Sequence, residues 1–142
     1  MKGAFIAALI PLLLSACVGL QPYPFKQGQE LALVDVGHVP AAWMCTDEGR
    51  YSLVPDKQKM AIVPAGKRIS LFSFVYIQGY QMNWTCAPGV SFTPAANASY
   101  YGNVEIANQA CRMEVYKGGA DNRVGLGIDT TVGPGYCPAP AK

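Results

Sequence analysis

The sequence is poor in charge. Asp, Glu, Lys and Arg together make up 14% of its 142 residues, against about a quarter in typical globular chains. The chain has eleven basic and nine acidic side chains, which gives a net charge of +2. This charge is too small for the basic surface that nucleic-acid binding requires, so we expect no nucleic-acid partner. The hydrophobic fraction of 51% excludes a highly charged disordered chain, and the length predicts a single domain.

Side chains suited to catalysis are also scarce. His38 is the only histidine, so it is the one imidazole available to a Ser/His/Asp or Cys/His system. No G-x-S-x-G motif accompanies it, and the glycines near the C-terminus are not followed by G-K-[ST]. Turn chemistry accounts for Asp47 and Asp121, and Asp129 lies in a Gly-rich segment. We therefore expect a protein that is not an enzyme, with no catalytic residues and no cofactor.

Long apolar runs are absent except at the N-terminus. There Lys2 precedes an uncharged apolar run from Gly3 to Leu14. A membrane-spanning helix needs about 20 residues, so this run is too short to span. Its length and its flanks are typical of the apolar region of a secretory signal peptide.

The residues Leu14-Ser15-Ala16-Cys17 that end this run resemble the lipobox of bacterial lipoproteins: an apolar residue, two small residues and a cysteine. The resemblance implies that residues 1–16 are cleaved off and that Cys17 carries a thioether-linked diacylglycerol and an acylated amino group. Two or three acyl chains anchor a protein stably, since each buried CH₂ contributes about 0.8 kcal/mol. Lipoproteins kept in the inner membrane commonly carry Asp after this cysteine, whereas Val18 stands here, which implies the outer membrane. The alternative is an ordinary signal peptide with Cys17 near its cleavage site by chance.

Four cysteines remain besides Cys17. An even number in an exported chain predicts two disulfides, with three possible connectivities. A zinc site would require closely spaced cysteine pairs and more than one histidine, so we expect no metal. One turn, one strand and one more turn are predicted between Cys86 and Cys111, which brings these two residues close together. We therefore expect a Cys86–Cys111 bond, which leaves Cys45 to pair with Cys137.

The mature chain divides into two parts. Residues 17–29 are rich in Gln, Pro and Gly and lack periodicity, so we interpret them as a lipid-anchored tether. Residues 30–142 contain short apolar runs separated by Gly, Pro, Asn and Asp, the pattern of strands joined by turns. We predict an all-β domain, a small antiparallel β-sandwich or open barrel with two disulfides. The candidate strands are Leu31–Val36, Ala42–Cys45, Arg50–Val54, Met60–Val63, Arg68–Ile77, Gln81–Thr85, Val90–Thr93, Tyr100–Ala107, Cys111–Tyr116 and Gly125–Thr130.

Two segments of this domain share a further pattern. The run from Val63 to Leu71 has a turn containing Pro and Gly ahead of a strand, and Val90–Pro94 is followed by a turn and the pair Tyr100-Tyr101. These segments resemble the PEGA-type β-sandwich modules of bacterial lipoproteins. The glycine that usually precedes the Tyr pair is absent here, and Asn97-Ala98 stands in its place. The resemblance implies a sandwich and assigns no activity.

Aromatic side chains are abundant, with eight tyrosines and two tryptophans. They either fill and flank a small sheet or form a surface that binds a partner or a glycan strand, since Tyr and Trp are enriched where binding energy concentrates. Those in the middle strands are Tyr76, Tyr80, Trp84, Tyr100 and Tyr101.

Tyr100 and Tyr101 are predicted to lie on opposite faces of one strand. Period-two alternation places Tyr100 on the apolar face with Val104 and Ile106, and places Tyr101 on the polar face with Asn103. We therefore expect Tyr100 to be buried and Tyr101 to be partly exposed, and Tyr101 is the candidate residue of a partner surface.

These features predict an outer-membrane lipoprotein that is anchored through Cys17 and faces the periplasm, with a non-enzymatic binding or scaffolding role toward a protein partner in the cell envelope. The alternative is a periplasmic inhibitor or immunity protein that blocks a cell-wall hydrolase by inserting a loop into its active site. A loop with Ser, His or Lys at its tip would favour the inhibitor, and a flat aromatic sheet face would favour scaffolding. A cleft that joins His38 to a carboxylate would favour an enzyme.

Overall fold

Two five-stranded sheets and a separate hairpin make up the part of the protein that the structure describes. A computed structural model describes residues 19–118 and 125–139. Within these residues no helix is long and apolar enough to cross a membrane. The strands are β1 (Leu31–His38), β2 (Trp43–Thr46), β3 (Gly49–Ser52), β4 (Met60–Pro64), β5 (Ile69–Phe72), β6 (Val75–Gln78), β7 (Asn83–Cys86), β8 (Gly89–Phe92), β9 (Ser99–Ala107), β10 (Ala110–Gly118), β11 (Leu126–Ile128) and β12 (Gly133–Pro134).

The two sheets pack face to face. The first has the strand order β11-β10-β9-β1-β4 and the second has the order β12-β8-β5-β2-β3. Residues of both, including Val34 of β1 and Met44 of β2, belong to one buried cluster. The predicted all-β sandwich is therefore confirmed. Among the described strands, β1 and β9 are the pair that runs parallel, and the other pairs are antiparallel.

Alternation along β1 shows why the sequence folds into these sheets. Ala32, Val34 and Val36 are buried, whereas Leu31 and Leu33, on the opposite face, are exposed. β-Branched side chains suit a pleated surface that is covered on one side. Each such side chain contributes about 1.5–3 kcal/mol when it is fully buried.

The run 68–77, predicted as a single strand, forms parts of two different sheets. β5 is the middle strand of the second sheet, but the chain leaves that sheet after Phe72. The Ser73 hydroxyl donates to the Pro40 carbonyl, and its N–H donates to the Pro88 carbonyl at 3.0 Å. These bonds replace ladder bonds, and β6 then pairs with β7. The prediction was wrong because both halves of the run are apolar, and periodicity does not show which partner a strand has.

The hairpin of β9 and β10 extends past the core. Its turn lies between two of the predicted strands, with Asn108 at φ 50° and Gln109 at φ 64°, the left-handed conformations that two-residue hairpin turns favour. Gly102 is the last fully buried residue of β9, and Val104 is half-buried against the core. Ile106, predicted to share the buried face of Tyr100, is 47% exposed. It lies on the predicted face, but the strand continues beyond the part of the sheet that the core covers.

Part of the predicted tether packs against the domain. Tyr23 is buried, and its ring makes an edge-to-face contact with Tyr51 at 5.0 Å between centroids. Pro22 forms a parallel bridge to Ser52, whose N–H donates to the Gln21 carbonyl at 2.9 Å. The folded domain therefore begins near residue 21 and not at residue 30. Pro22 and Pro24 exclude a regular helix or strand in this segment, but they leave Tyr23 free to enter the core.

The C-terminal segment crosses the second sheet. β12, which was not predicted, pairs with β8, and the Ser91 hydroxyl donates to the Pro134 carbonyl at 2.7 Å. A Cβ on Gly135 would lie 2.6 Å from the carbonyl carbon of Gly89, so only glycine permits this approach. A disulfide joins Cys137 to Cys45, with the Cα atoms 5.3 Å apart.

Candidate functional site

Among the described strands, β6 and β7 form a hairpin that belongs to neither of the two five-stranded sheets. Its tip spans Gly79–Met82, where the Gly79 N–H donates to the Met82 carbonyl at 3.0 Å. A Cβ on Gly79 would lie 2.6 Å from that carbonyl oxygen, which explains the glycine. Tyr80 at the tip is 100% exposed. The turn thus presents a complete tyrosine side chain to solvent.

Strand pairing gives this hairpin an exposed face, which we call the polar face. Tyr76 lies opposite Thr85, and Gln78 lies opposite Asn83. All four side chains are exposed, and Tyr76 is 57% exposed. Directly opposed residues in a hairpin have Cβ atoms about 4.5–5.5 Å apart. The polar face therefore combines one aromatic ring with two amides and a hydroxyl in a compact group.

The opposite face of the hairpin is apolar and turned toward the domain. Val75 is buried, and Ile77 and Trp84, a directly opposed pair, are half-buried. Cys86 shares this face, and it is bonded to Cys111 of β10 with the Cα atoms 6.4 Å apart. The bond fixes which face of the hairpin points outward, because it ties the apolar face to the β9–β10 hairpin. Both disulfides are the ones that the cysteine spacing and the strand order led us to expect.

The hairpin lies within a long stretch without charge. No Asp, Glu, Lys, Arg or His occurs between Arg68 and Glu105. Phe74 and Met82 are exposed there in addition to the two tyrosines. Exposed aromatic side chains grouped on one element are typical of binding surfaces. The β6–β7 hairpin is therefore the candidate functional site.

Charged side chains on β9 and β10 pair with one another beside the Cys86–Cys111 bond. The Arg112 Nε donates to the Glu105 carboxylate at 2.7 Å and lies 3.1 Å from a carboxylate oxygen of Glu114. The hydrogen bond to Glu105 and the charges of both carboxylates raise the pKa of Arg112. The Tyr116 hydroxyl donates to Glu114 at 2.7 Å, and this bond raises the pKa of Tyr116.

Tyr101, the residue predicted for a partner surface, lies in β9 and not in the candidate hairpin. It is half-buried, and Tyr100 is 2% exposed, as the alternation predicts.

The ring of His38 lies 5.7 Å from that of Tyr101. His38 is the exposed last residue of β1. Within the described ranges, no hydrogen bond or ion pair joins His38 to a carboxylate. The groove next to it is lined by Lys59 and by glycine and apolar residues of 36–42 and 53–55.

A buried hydrogen-bond network ties the C-terminal segment to β9. Tyr100 donates its hydroxyl proton to Asp129 at 3.2 Å and accepts the Ala95 N–H at 2.9 Å. Burial raises the pKa of the Asp129 carboxyl. The hydrogen bonds from Thr131 and Tyr100 outweigh burial, so the pKa lies below its ordinary value. Burial is also the main cause that raises the pKa of Tyr100. We assign this network to stability because both groups are buried.

Cys17, the predicted lipidation site, lies outside the described residues. Within residues 19–118 and 125–139, no three His, Cys, Asp or Glu side chains gather as metal ligands would. Comparisons of the chain with family models, with curated proteins and with solved structures found no match.

The sequence contained signals for the hairpin that our choice of Tyr101 did not use. The sequence pattern indicates Tyr76 and Tyr80 only as members of the aromatic set. The absence of charge from 69 to 104 and the glycine between two apolar runs both mark this segment. The prediction of 68–77 as a single strand missed the point after Phe72 at which the chain leaves the second sheet.

Proposed function

We propose that this protein is a lipoprotein of the outer membrane that is anchored through Cys17 and binds another component of the cell envelope through the β6–β7 hairpin. The observation that carries the proposal is the hairpin itself: an uncharged, aromatic element outside both sheets, tied in place by Cys86–Cys111. Two disulfides suit the oxidising periplasm. The role is binding and not catalysis.

The direction of the chain supports this arrangement. β3 and β5 run in the same direction, since β2 is antiparallel to both, and β5 leads into the hairpin. Pro22 runs parallel to β3, so the chain before Pro22 leads away from the end at which the hairpin emerges. Four residues lie between Cys17 and Pro22, so their Cα atoms are at most about 18 Å apart. A lipid at Cys17 would thus hold the domain close to the membrane.

The inhibitor alternative has one observation in its favour, which is the full exposure of Tyr80 at a protruding tip. The tip, however, carries Tyr and Gln and lacks the Ser, His or Lys that would engage a catalytic centre. We therefore place binding through the aromatic hairpin first. Titration of a purified cell-wall hydrolase with the protein separates the two functions. If the protein inhibits the hydrolase stoichiometrically and its Tyr80→Ala variant does not, the inhibitor function would replace the proposed binding function.

The anchor and the binding role are tested in the same cells. The full chain and its Cys17→Ala variant are produced in a Gram-negative bacterium that is labelled with a fatty acid, and the membranes are separated by density. A photo-crosslinking residue replaces Tyr80 or, as a control, Tyr136 on the outer face of the second sheet. We expect label only with Cys17 present, recovery in the outer membrane, and adducts from position 80 only. Label on the Cys17→Ala protein would refute the anchor, and equal adducts from both positions would refute the hairpin as the binding element.

A further inference from the structure

We propose that the polar face of the hairpin binds an uncharged polysaccharide chain. This inference rests on the proposed function, since it names the chemistry of the envelope component that the hairpin takes. The face consists of Tyr76, Gln78, Asn83 and Thr85, which register places together as two directly opposed pairs.

The functional groups of this face match sugar hydroxyls. Side-chain amides and hydroxyls both donate and accept hydrogen bonds, whereas carboxylates only accept and ammonium groups only donate. Sugar hydroxyls also do both, so Gln78 and Asn83 can each engage neighbouring hydroxyls of one sugar. The Tyr76 ring supplies an apolar surface for the C–H face of a sugar ring at a low cost in side-chain entropy.

Charge decides between this ligand and others. An anionic polymer or an anionic lipid surface would require Lys or Arg on the face, and the stretch between Arg68 and Glu105 contains none. The nearest basic side chain of the β9–β10 hairpin, Arg112, is paired with Glu105 and Glu114. A neutral polymer is the complement of a neutral face.

The test uses the full chain, purified in a detergent without a sugar headgroup. The protein is mixed with insoluble chitin or amorphous cellulose, which are uncharged polysaccharides, or with carboxymethyl cellulose as an anionic matrix. Depletion from the supernatant is measured in low salt and in about 1 M NaCl, where charge interactions are screened beyond about 3 Å. The variants are Tyr76→Ala, Tyr76→Phe and Gln78→Ala with Asn83→Ala, and Tyr136→Ala serves as the control. Tyr136 is 72% exposed and lies outside the hairpin. Mass spectrometry of the Cys86–Cys111 peptide shows that each variant keeps its hairpin tied.

We expect salt-resistant binding to at least one uncharged matrix. Tyr76→Ala should weaken it roughly tenfold, as loss of a central aromatic contact does, whereas Tyr76→Phe and Tyr136→Ala should retain it. Three results would overturn the inference: no depletion by either uncharged matrix, loss of binding in high salt, or equal loss in Tyr136→Ala. A protein adduct from position 80 combined with no polysaccharide binding would also overturn it, and would leave the proposed function standing.

Discussion

Cys86, at the end of β7, is bonded to Cys111, near the start of β10, so the hairpin that carries the candidate site is tied to the first sheet although it pairs with neither sheet. Cys45–Cys137 ties the C-terminal segment to β2. The two bonds thus secure the two parts of the chain that have little ladder pairing with the sandwich.

Removal of the Cys45–Cys137 disulfide should destabilise the domain more than removal of the Cys86–Cys111 disulfide. Cys86 and Cys111 are separated by 25 residues and Cys45 and Cys137 by 92. The loop-entropy relation then gives about 3.5 kcal/mol for the first bond and about 4.6 kcal/mol for the second. Denaturant unfolding of the two double Cys→Ser variants measures both values. A larger loss for the Cys86/Cys111 variant would contradict the entropic explanation.

The same variants should differ in local protection. Without the Cys86–Cys111 bond, the hairpin retains only its own short ladder, and isolated two-stranded hairpins are marginally stable. Chymotrypsin should therefore cleave near Tyr80 faster in that variant than in the Cys45/Cys137 variant under folding conditions. Equal cleavage rates would show that packing of the apolar face of the hairpin suffices to hold it.

Neighbouring tyrosines in β9 should respond oppositely to truncation. Tyr100 is 2% exposed and packs 5.0 Å from the ring of Phe92, so Tyr100→Ala should cost about 3–5 kcal/mol of unfolding free energy. Tyr101 is half-buried on the outer face, so Tyr101→Ala should cost under about 1 kcal/mol. Denaturant melts decide the matter, and equal costs would mean that the two faces of β9 are wrongly assigned.

Much of this fold could be predicted because the alternation of residue types along a single strand indicates which of its faces is buried. Alternation in 99–107 places Tyr100 inside and Tyr101 outside, and the Asn108-Gln109 turn follows from turn chemistry. What alternation does not record is the partner of a strand. The apolar residues 74–77 suit a central strand equally well, and only the bonds of Ser73 to Pro40 and Pro88 carry the chain out of the sheet.

Close backbone approach and distant packing also lie beyond local patterns. Gly133 and Pro134 have the composition of a turn, yet they form β12 because the chain is held across the second sheet by Cys137. Tyr23 lies between two prolines, which indicated a tether, but it is buried against Tyr51. The candidate site itself depends on both kinds of information, since the hairpin must leave the sheet and must be tied by a distant cysteine.

The buried carboxylate of Asp129 should make stability depend on acid pH. Its pKa is lowered in the folded protein from an ordinary value of 3.8, because hydrogen bonds from Thr131 and Tyr100 outweigh burial. A lowered folded pKa contributes stability above the unfolded pKa, and this contribution is lost as pH falls through the folded value. The stability difference between wild type and Asp129→Asn should therefore be constant from about pH 5 to 8 and narrow below about pH 4. Denaturant melts across this range measure it, and a difference that widens toward low pH would reverse the sign of the shift.

Alanine substitutions at two glycines, one in the hairpin and one in the core, should differ in their effect on global stability. A Cβ on Gly79 would meet the Met82 carbonyl oxygen at 2.6 Å, and a Cβ on Gly102 would meet the Val39 side chain at 2.9 Å. Gly102 is buried within the sandwich, so Gly102→Ala should lower the unfolding free energy by about 1–3 kcal/mol through overpacking. The Gly79 clash lies in a turn outside both sheets, where opening is local. We therefore expect Gly79→Ala to change global stability by less than about 0.5 kcal/mol, as most changes away from packed features do.

The local effect of Gly79→Ala should appear at the tip. Since the turn must open to admit the new Cβ, Tyr80 should move away from its present position, and chymotrypsin should cleave there faster than in wild type. Gly19→Ala is the matched control, because a Cβ on Gly19 meets nothing within 4 Å. If Gly79→Ala instead destabilised the protein as strongly as Gly102→Ala, the hairpin would be an integral part of the cooperative core.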